Sequence, residues 1–128
     1  MRRGSAEMRA EMNRILWAAD STVQTNDYTT YPQTGIGQVF SLFIKPEYQV
    51  NNHAKNGRST KSFMDEGRLK AIEEKIGAGD FLFIQFGHND EKKEDPTRYT
   101  EPFSTYMENL ETFIRVAKDH SAYPVLIT

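Results

Sequence analysis

The chain has 128 residues, 38% of them hydrophobic, with 16 Lys and Arg against 18 Asp and Glu for a net charge of -2. That length fits one compact domain with a sizeable core and is short for two. So balanced a charge gives no electrostatic reason to expect a nucleic-acid partner or an anionic membrane surface, and a chain without cysteine has neither disulfides nor a thiol nucleophile.

Residues 1–14 read as a polar leader ahead of the domain, with Met12 a plausible natural start; they carry charge but no apolar segment of the kind a secretory signal needs. No stretch reaches membrane-spanning length, and the expected setting is soluble and cytoplasmic. Ile15 to Ala19 is a short apolar run that ends on Asp20, which suits a buried strand entering a polar turn. Pro32, Gly35 and Gly37 punctuate a loop, after which Val39, Phe40, Phe43 and Ile44 recur at helical spacing until Pro46. Tyr48 to Asn52 alternates apolar and polar residues, as an edge strand would. From Ser59 to Ile76 the side chains Leu69, Ile72 and Ile76 share one helical face, with Gly77 at the place of a left-handed cap. Phe81 to Phe86 is apolar almost throughout and predicts a central strand covered on both faces. Phe103, Met107, Leu110, Ile114 and Ala117 form a helical stripe behind Pro102, and Pro124 to Thr128 reads as a fourth strand.

The order is β-α-β-α-β-α-β, which implies a parallel sheet with helices on both faces. Ligands in such sheets sit beyond the carboxyl ends of the strands, so the loops that begin near Asp20, Asn52 and Phe86 carry the information. The first holds Asp20, Ser21 and Thr22. Taken alone, a cap or Asx turn is the commoner use of these residues, and a phosphate-binding hydroxyl or a nucleophile are the other two. The second loop holds Asn56-Gly57-Arg58-Ser59, readable as a turn with a Ser59 cap or as a glycine that lets a substrate approach the backbone N–H. The third holds Gly87-His88-Asn89-Asp90, at the middle of the sheet. Together they offer what acyl transfer needs: a hydroxyl, and three donors, the Ser21 N–H, the Gly57 N–H and the Asn89 amide, able to meet on one developing oxyanion.

In these three stretches the chain resembles the SGNH, or GDSL-like, hydrolases, named for Ser, Gly, Asn and His. Ala19-Asp20-Ser21-Thr22 is similar to the family's first block, Asn56-Gly57-Arg58-Ser59 to its second and Gly87-His88-Asn89-Asp90 to its third. The stretches ADSTVQTND, PQTGIGQ, NGRSTKSF and FGHND look most like the rhamnogalacturonan acetylesterase branch. The resemblance implies a flavodoxin-like three-layer α/β/α sandwich with a parallel sheet, of which four strands are present and the fifth strand and last helix are missing. It implies Ser21 as nucleophile, Ser21, Gly57 and Asn89 as oxyanion donors, and Asp20, Gly87, His88 and Asp90 as supporting residues. The expected substrate is an acetylated carbohydrate, pectic rhamnogalacturonan, with Arg58 as a substrate-binding residue. No cofactor or metal is implied.

The sequence departs from that pattern twice. Ala19 stands where the first block usually has Gly, and no Asp-x-x-His occurs, the block that carries the base and its orienting acid. Of the three histidines, His53 and His120 read as solvated or helix-end residues, and His88 should face away from the site if its neighbour Asn89 faces into it. Without a base, Ser21 lacks a factor of roughly 10²–10⁴ in rate, so the chain alone is expected to be feeble or inactive. An uncovered Val125-Leu126-Ile127 edge predicts self-association. Three other readings fit parts of the pattern: a receiver-type signalling domain built on Asp20 and Asp90; a flavodoxin-like module in which Ser21, Thr22 and Thr25 cradle a phosphate or flavin at a helix N-terminus; and an inactive pectin-binding relative in which Arg58 and Lys61 meet galacturonate carboxylates, although solvated charges on the outer face of a helix are the commoner use of such residues.

Overall fold

The computed structural model describes residues 13–128, so the expected leader lies outside the described residues except for its last two, and Met12 lies outside with it. Four strands, β1 (Arg14–Ala19), β2 (Gln49–Asn52), β3 (Phe81–Gln85) and β4 (Tyr123–Leu126), form one parallel sheet in the order β2-β1-β3-β4. The helices are α1 (Ile36–Val39, extended by a 3-10 turn over Phe40–Phe43), α2 (Thr60–Asp65), α3 (Arg68–Glu73) and α4 (Thr105–Asp119). The expected α/β sandwich is thus what the chain forms.

Side-chain alternation along β1 divides the core in two. Leu16 and Ala18 point to one face and meet Phe63, Ile72, Leu82, Ile84 and Phe113 beneath α2, α3 and α4. Ile15, Trp17 and Ala19 point to the other, where Val23, Phe40 and Phe83 close over them. Trp17, Phe40 and Phe83 pack edge to face with ring centroids 5.1–5.6 Å apart, an arrangement that aligns positive ring edges with negative faces. Because β1 is buried from Ile15 to Asp20, its apolar run was a reliable mark of an inner strand.

Three expectations need correction. The helix expected from Ser59 to Ile76 is two helices, because Gly67 adopts a left-handed conformation at φ +77° between them; Gly77 does not serve as the left-handed cap. Ser59 does cap α2, accepting a bond from the Ser62 N–H. The α4 stripe is rotated. Phe103 lies ahead of the helix at 88% exposure and Met107 is exposed, while Phe113, Val116 and Ala117 are buried. Phe113 stacks at 5.8 Å from Phe63 and 5.2 Å from Phe86, and that aromatic contact fixes which side of α4 faces the sheet. Finally, α1 is one turn followed by a 3-10 segment rather than a full helix, and Phe43 is exposed.

The chain leaves β1 for β2 on one side and then returns past β1 to place β3 on the other. Between β1 and β3 the connections diverge, and this is where a doubly wound sheet opens a crevice at its carboxyl edge. Ala19 pairs with Gln85, so the loops bearing Ser21 and Gly87-Asp90 leave adjacent strands at the same level. β4 is an outer strand, with Tyr123 and Leu126 exposed. Among the described residues no helix is long and apolar enough to cross a membrane.

Candidate active site

The turn after β1 is built by Asp20, not by Ser21. The Asp20 carbonyl accepts from the N–H of Val23 at 3.1 Å and Gln24 at 3.2 Å, and its carboxylate accepts from Thr22 N–H at 3.1 Å and Thr22 Oγ1 at 2.9 Å. Asp20 is buried at 4% exposure, so these bonds also satisfy an acid that water cannot reach. Ser21 is half-buried, and among the described residues its hydroxyl and its N–H find no hydrogen-bond partner. Capping therefore falls to its neighbour and leaves Ser21 uncommitted. No helix starts at Ser21: a loop with a single 3-10 turn at Tyr28–Thr30 runs from there to α1, which removes the helix N-terminus on which the phosphate or flavin reading depended.

The second loop is tied to the first. Lys55 N–H donates to the Ala19 carbonyl at 3.1 Å, the Asn56 N–H donates to Gln24 Oε1, and Asn52 Nδ2 donates to the Val23 carbonyl at 2.8 Å. At the tip Gly57 has φ +74°, a left-handed conformation that glycine adopts without strain, and its N–H has no acceptor among the described residues.

The third loop is the most tightly held. Asn89 is 3% exposed: its Nδ2 donates to the Arg58 carbonyl at 3.1 Å, and its Oδ1 accepts from Arg98 Nη1 at 3.0 Å. Asn89 thus lies against the segment that carries Gly57, with one amide N–H left over. Asp90, also 3% exposed, accepts from Thr60 N–H at 3.0 Å and Thr100 Oγ1 at 2.8 Å, while Asn109 Nδ2 donates to Thr60 Oγ1 at 3.1 Å. Burial pushes the Asp90 carboxyl above the usual Asp value, against the opposing pull of the Thr60 and Thr100 bonds; the Asp20 charge adds to the upward shift, so the two acids feel each other across the crevice. Tyr106 donates to the Phe86 carbonyl at 2.7 Å, and burial first, then the Asp90 and Asp20 charges, hold its phenol in the neutral form beyond the ordinary range. Clefts of about 230 Å³, lined by Gly87, Asp90, Thr100 and Tyr106, and about 270 Å³, lined by Gly57, Arg58, Thr97 and Arg98, adjoin this loop.

The other expected residues fall as follows. His88 turns outward, its side chain 68% exposed and Nδ1 3.9 Å from Glu91 Oε1, which is the opposite facing expected of a neighbour of Asn89. His120 Nδ1 lies 2.8 Å from the Val116 carbonyl at the C-terminus of α4. His53 is half-buried and not the solvated residue expected, and burial, with the Lys75 charge adding to it, lowers its pKa. None of the three is hydrogen-bonded to Ser21. The guanidinium of Arg58 is engaged by Glu66 Oε1 at 3.0 Å and the Asn56 carbonyl at 2.8 Å, and Lys61 Nζ donates to the Pro96 carbonyl at 2.7 Å, so neither cation is free of protein partners. The described residues contain no acid and histidine cluster able to hold a metal.

Sequence reasoning missed Arg98. Asp95-Pro96-Thr97 is a recognisable Asx turn, with Thr97 N–H donating to Asp95 Oδ1 at 3.0 Å, but nothing local says that the next side chain reaches Asn89.

No family model matches this sequence. The chain is 47% identical over 116 residues to the probable rhamnogalacturonan acetylesterase YesY of Bacillus subtilis, which covers 91% of this chain and 53% of that protein. It is 45% identical over 115 residues to the rhamnogalacturonan acetylesterase RhgT of the same organism, covering 90% of this chain and 48% of the relative. Its fold matches the crystal structure of YxiM from Bacillus subtilis with a TM-score of 0.79 at 29% identity, over 89% of this chain and 32% of that one. The chain spans about half the length of the curated relatives it matches. The resemblance read from its three short blocks is therefore a relationship that runs along nearly all of its residues.

Proposed function

We propose that this chain, a member of the SGNH hydrolases through its rhamnogalacturonan acetylesterase relatives, carries the nucleophile and oxyanion donors of a carbohydrate O-acetylesterase. The observation that supports this most is the docking of the buried Asn89 amide onto the Arg58 carbonyl, beside Gly57 and across the β1/β3 crevice from an uncommitted Ser21.

In this reading Ser21 Oγ attacks the acetyl carbonyl and a tetrahedral intermediate forms. Its negative oxygen is received by the Ser21 N–H, the Gly57 N–H and the remaining Asn89 amide N–H. Such donors accelerate the step because they are already oriented when charge develops, whereas water would have to reorganise. The Ser21 proton passes to a general base and returns to the sugar oxygen as the bond to acetyl breaks; water then releases acetate from the serine ester. The base in this family is the histidine of Asp-x-x-His, a pattern absent from residues 1–128. Asp20, Gly87, His88 and Asp90 support the turns, and acetylated rhamnogalacturonan is the proposed substrate.

Acetate release from acetylated rhamnogalacturonan oligosaccharides by the full protein tests the reading. Release that disappears in Ser21→Ala is expected. Undiminished release from Ser21→Ala would remove the nucleophile assignment.

A further inference from the structure

The geometry points to Arg98 as a positioning residue that locks and polarises the Asn89 amide; this inference rests on the oxyanion role proposed above for Asn89. A side-chain amide is ambiguous by shape, since turning it over exchanges oxygen and nitrogen with almost no change in volume. Its surroundings here are not ambiguous. On one side stands Arg98 Nη1, 3.0 Å away, which can only donate; on the other stands the Arg58 carbonyl, 3.1 Å from Nδ2, which can only accept. Turning the amide over would set donor against donor and acceptor against acceptor in a buried place. The pair of partners therefore fixes which atom faces the guanidinium and leaves one Nδ2–H, in a defined direction, with no acceptor among the described residues.

Arg98 is held for the task. Its Nε donates to Asp95 Oδ2 at 2.7 Å, its own N–H donates to the Asp95 carbonyl at 3.1 Å, and Asp95 is in turn fixed by Thr97 N–H at 3.0 Å and Thr97 Oγ1 at 2.6 Å. Arg98 is half-buried, and its Nη1 lies 3.8 Å from the point a Cβ on Gly57 would occupy. The chemistry favours Arg over Lys, because a rigid fork reaches the Asp95 carboxylate through Nε and Asn89 through Nη1 at once, and an ammonium on a flexible stem does not. A charged donor on Oδ1 also draws electron density out of the amide, which strengthens the remaining N–H as a donor. That gain is largest when the group facing the N–H becomes an anion.

A double-mutant cycle in the full protein, with an acetylated rhamnogalacturonan oligosaccharide as substrate, separates this role from general stabilisation. Arg98→Met is expected to lower kcat by about 10-fold, a fraction of the roughly 10²–10³-fold loss of a whole donor, with KM within about 3-fold and Arg98→Lys recovering only part of the loss. In an Asn89→Ala background the same Arg98→Met change should cost less than about 2-fold, because nothing remains for Arg98 to orient. Equal losses in both backgrounds, or a loss carried by KM, would overturn the inference. Should Arg98→Met fail to fold, Asp95→Asn, which loosens the guanidinium and keeps it, enters the same cycle with the same expected pattern. Hydrogen exchange of the Asn89 Nδ2 protons gives a readout independent of turnover: faster exchange in Arg98→Lys or Asp95→Asn is expected, and unchanged exchange counts against the lock. If Asn89→Ala retains full activity, the oxyanion reading itself fails; if Asn89→Ala is impaired and Arg98→Met is not, only the role of Arg98 does.

Discussion

Two loops leave adjacent strands at the same edge of the sheet and are built in opposite ways. After β1, Asp20 takes up the turn's hydrogen bonds and Ser21 stands half-exposed, its hydroxyl unengaged among the described residues. After β3, both ends of the Asn89 amide are occupied and its neighbour Asp90 is bound to Thr60 and Thr100. The contrast follows from what each group is proposed to do. A nucleophile has to be reached by substrate and hand its proton to a base, so a hydroxyl held by purely structural partners would be hindered. An oxyanion donor acts through its position alone, and is worth more the less it moves. Freedom in one loop and confinement in the other are complementary halves of one design.

Substitutions that strip each loop of its side chain sharpen the comparison. Ser21→Ala should reduce kcat/KM for acetate release by about 10⁴-fold or more, as loss of a triad nucleophile does. Its thermal stability should shift by no more than about 0.5 kcal/mol, since no bond is lost. A melt that shows Ser21→Ala to be strongly destabilised would mean that the hydroxyl has a structural partner after all. Asn89→Ala should instead damage both properties. Its kcat should drop by roughly 10²–10³-fold, and removal of a buried, doubly bonded amide that leaves Arg98 without its acceptor should cost about 1–3 kcal/mol. Denaturant unfolding of the two variants side by side distinguishes a free side chain from a fixed one.

Asp90 tests how the fixed loop is held. Burial raises its folded-state pKa above the unfolded value of 3.8, so the stability it contributes is fully present below that value and is lost as pH rises through the folded-state pKa. Wild type should therefore stand highest relative to Asp90→Asn in acid and lose stability against it as pH rises toward neutral. Asp95 and Glu66 shift downward, chiefly through the Thr97 and Arg68 side-chain bonds respectively, and work in the other sense: their stabilisation is present above the unfolded value and fades as pH falls. Wild type that instead gains stability relative to Asp90→Asn as pH rises would show the Asp90 carboxylate to be favoured, not penalised, by its surroundings.

The parts of this arrangement written in short range were legible from the sequence. Ile15 to Ala19 and Phe81 to Phe86 are apolar because the strands they form are covered on both faces, and Ser59 caps α2 with its own side chain. The three blocks at the strand ends could be read because each is a few residues long and sits where topology puts ligands. What could not be read depends on docking. Leu69, Ile72 and Ile76 all lie after Gly67, so their shared face carried no information on the segment before it, and the break at Gly67 shows itself in a backbone angle. The side of α4 that faces the sheet is set by Phe113 meeting Phe63 and Phe86, residues far away in the chain. Arg98 was invisible for the same reason, since a turn at Asp95-Thr97 announces itself locally but not the amide it will reach.

The smallest expected effect separates backbone strain from function at a third loop. Gly57 and Gly67 have nearly equal left-handed angles, φ +74° and +77°, and a Cβ added at either meets nothing closer than 3.8 Å at Gly57 and nothing within 4 Å at Gly67. Alanine at each should therefore cost a similar 1–2 kcal/mol, roughly the penalty of a side chain in that region, with no clash to enlarge it. Activity should not follow stability. Gly67 joins α2 to α3 and lines neither cleft beside the third loop, and Gly67→Ala should keep its kcat. Gly57→Ala retains the N–H proposed to bind the oxyanion but tilts the preferred φ away from the angle that aims it, and a side chain there also approaches Arg98 Nη1. A several-fold fall in kcat for Gly57→Ala, with a melting curve that overlays Gly67→Ala, would tie the glycine to the chemistry; matched activities would leave it as a turn residue alone.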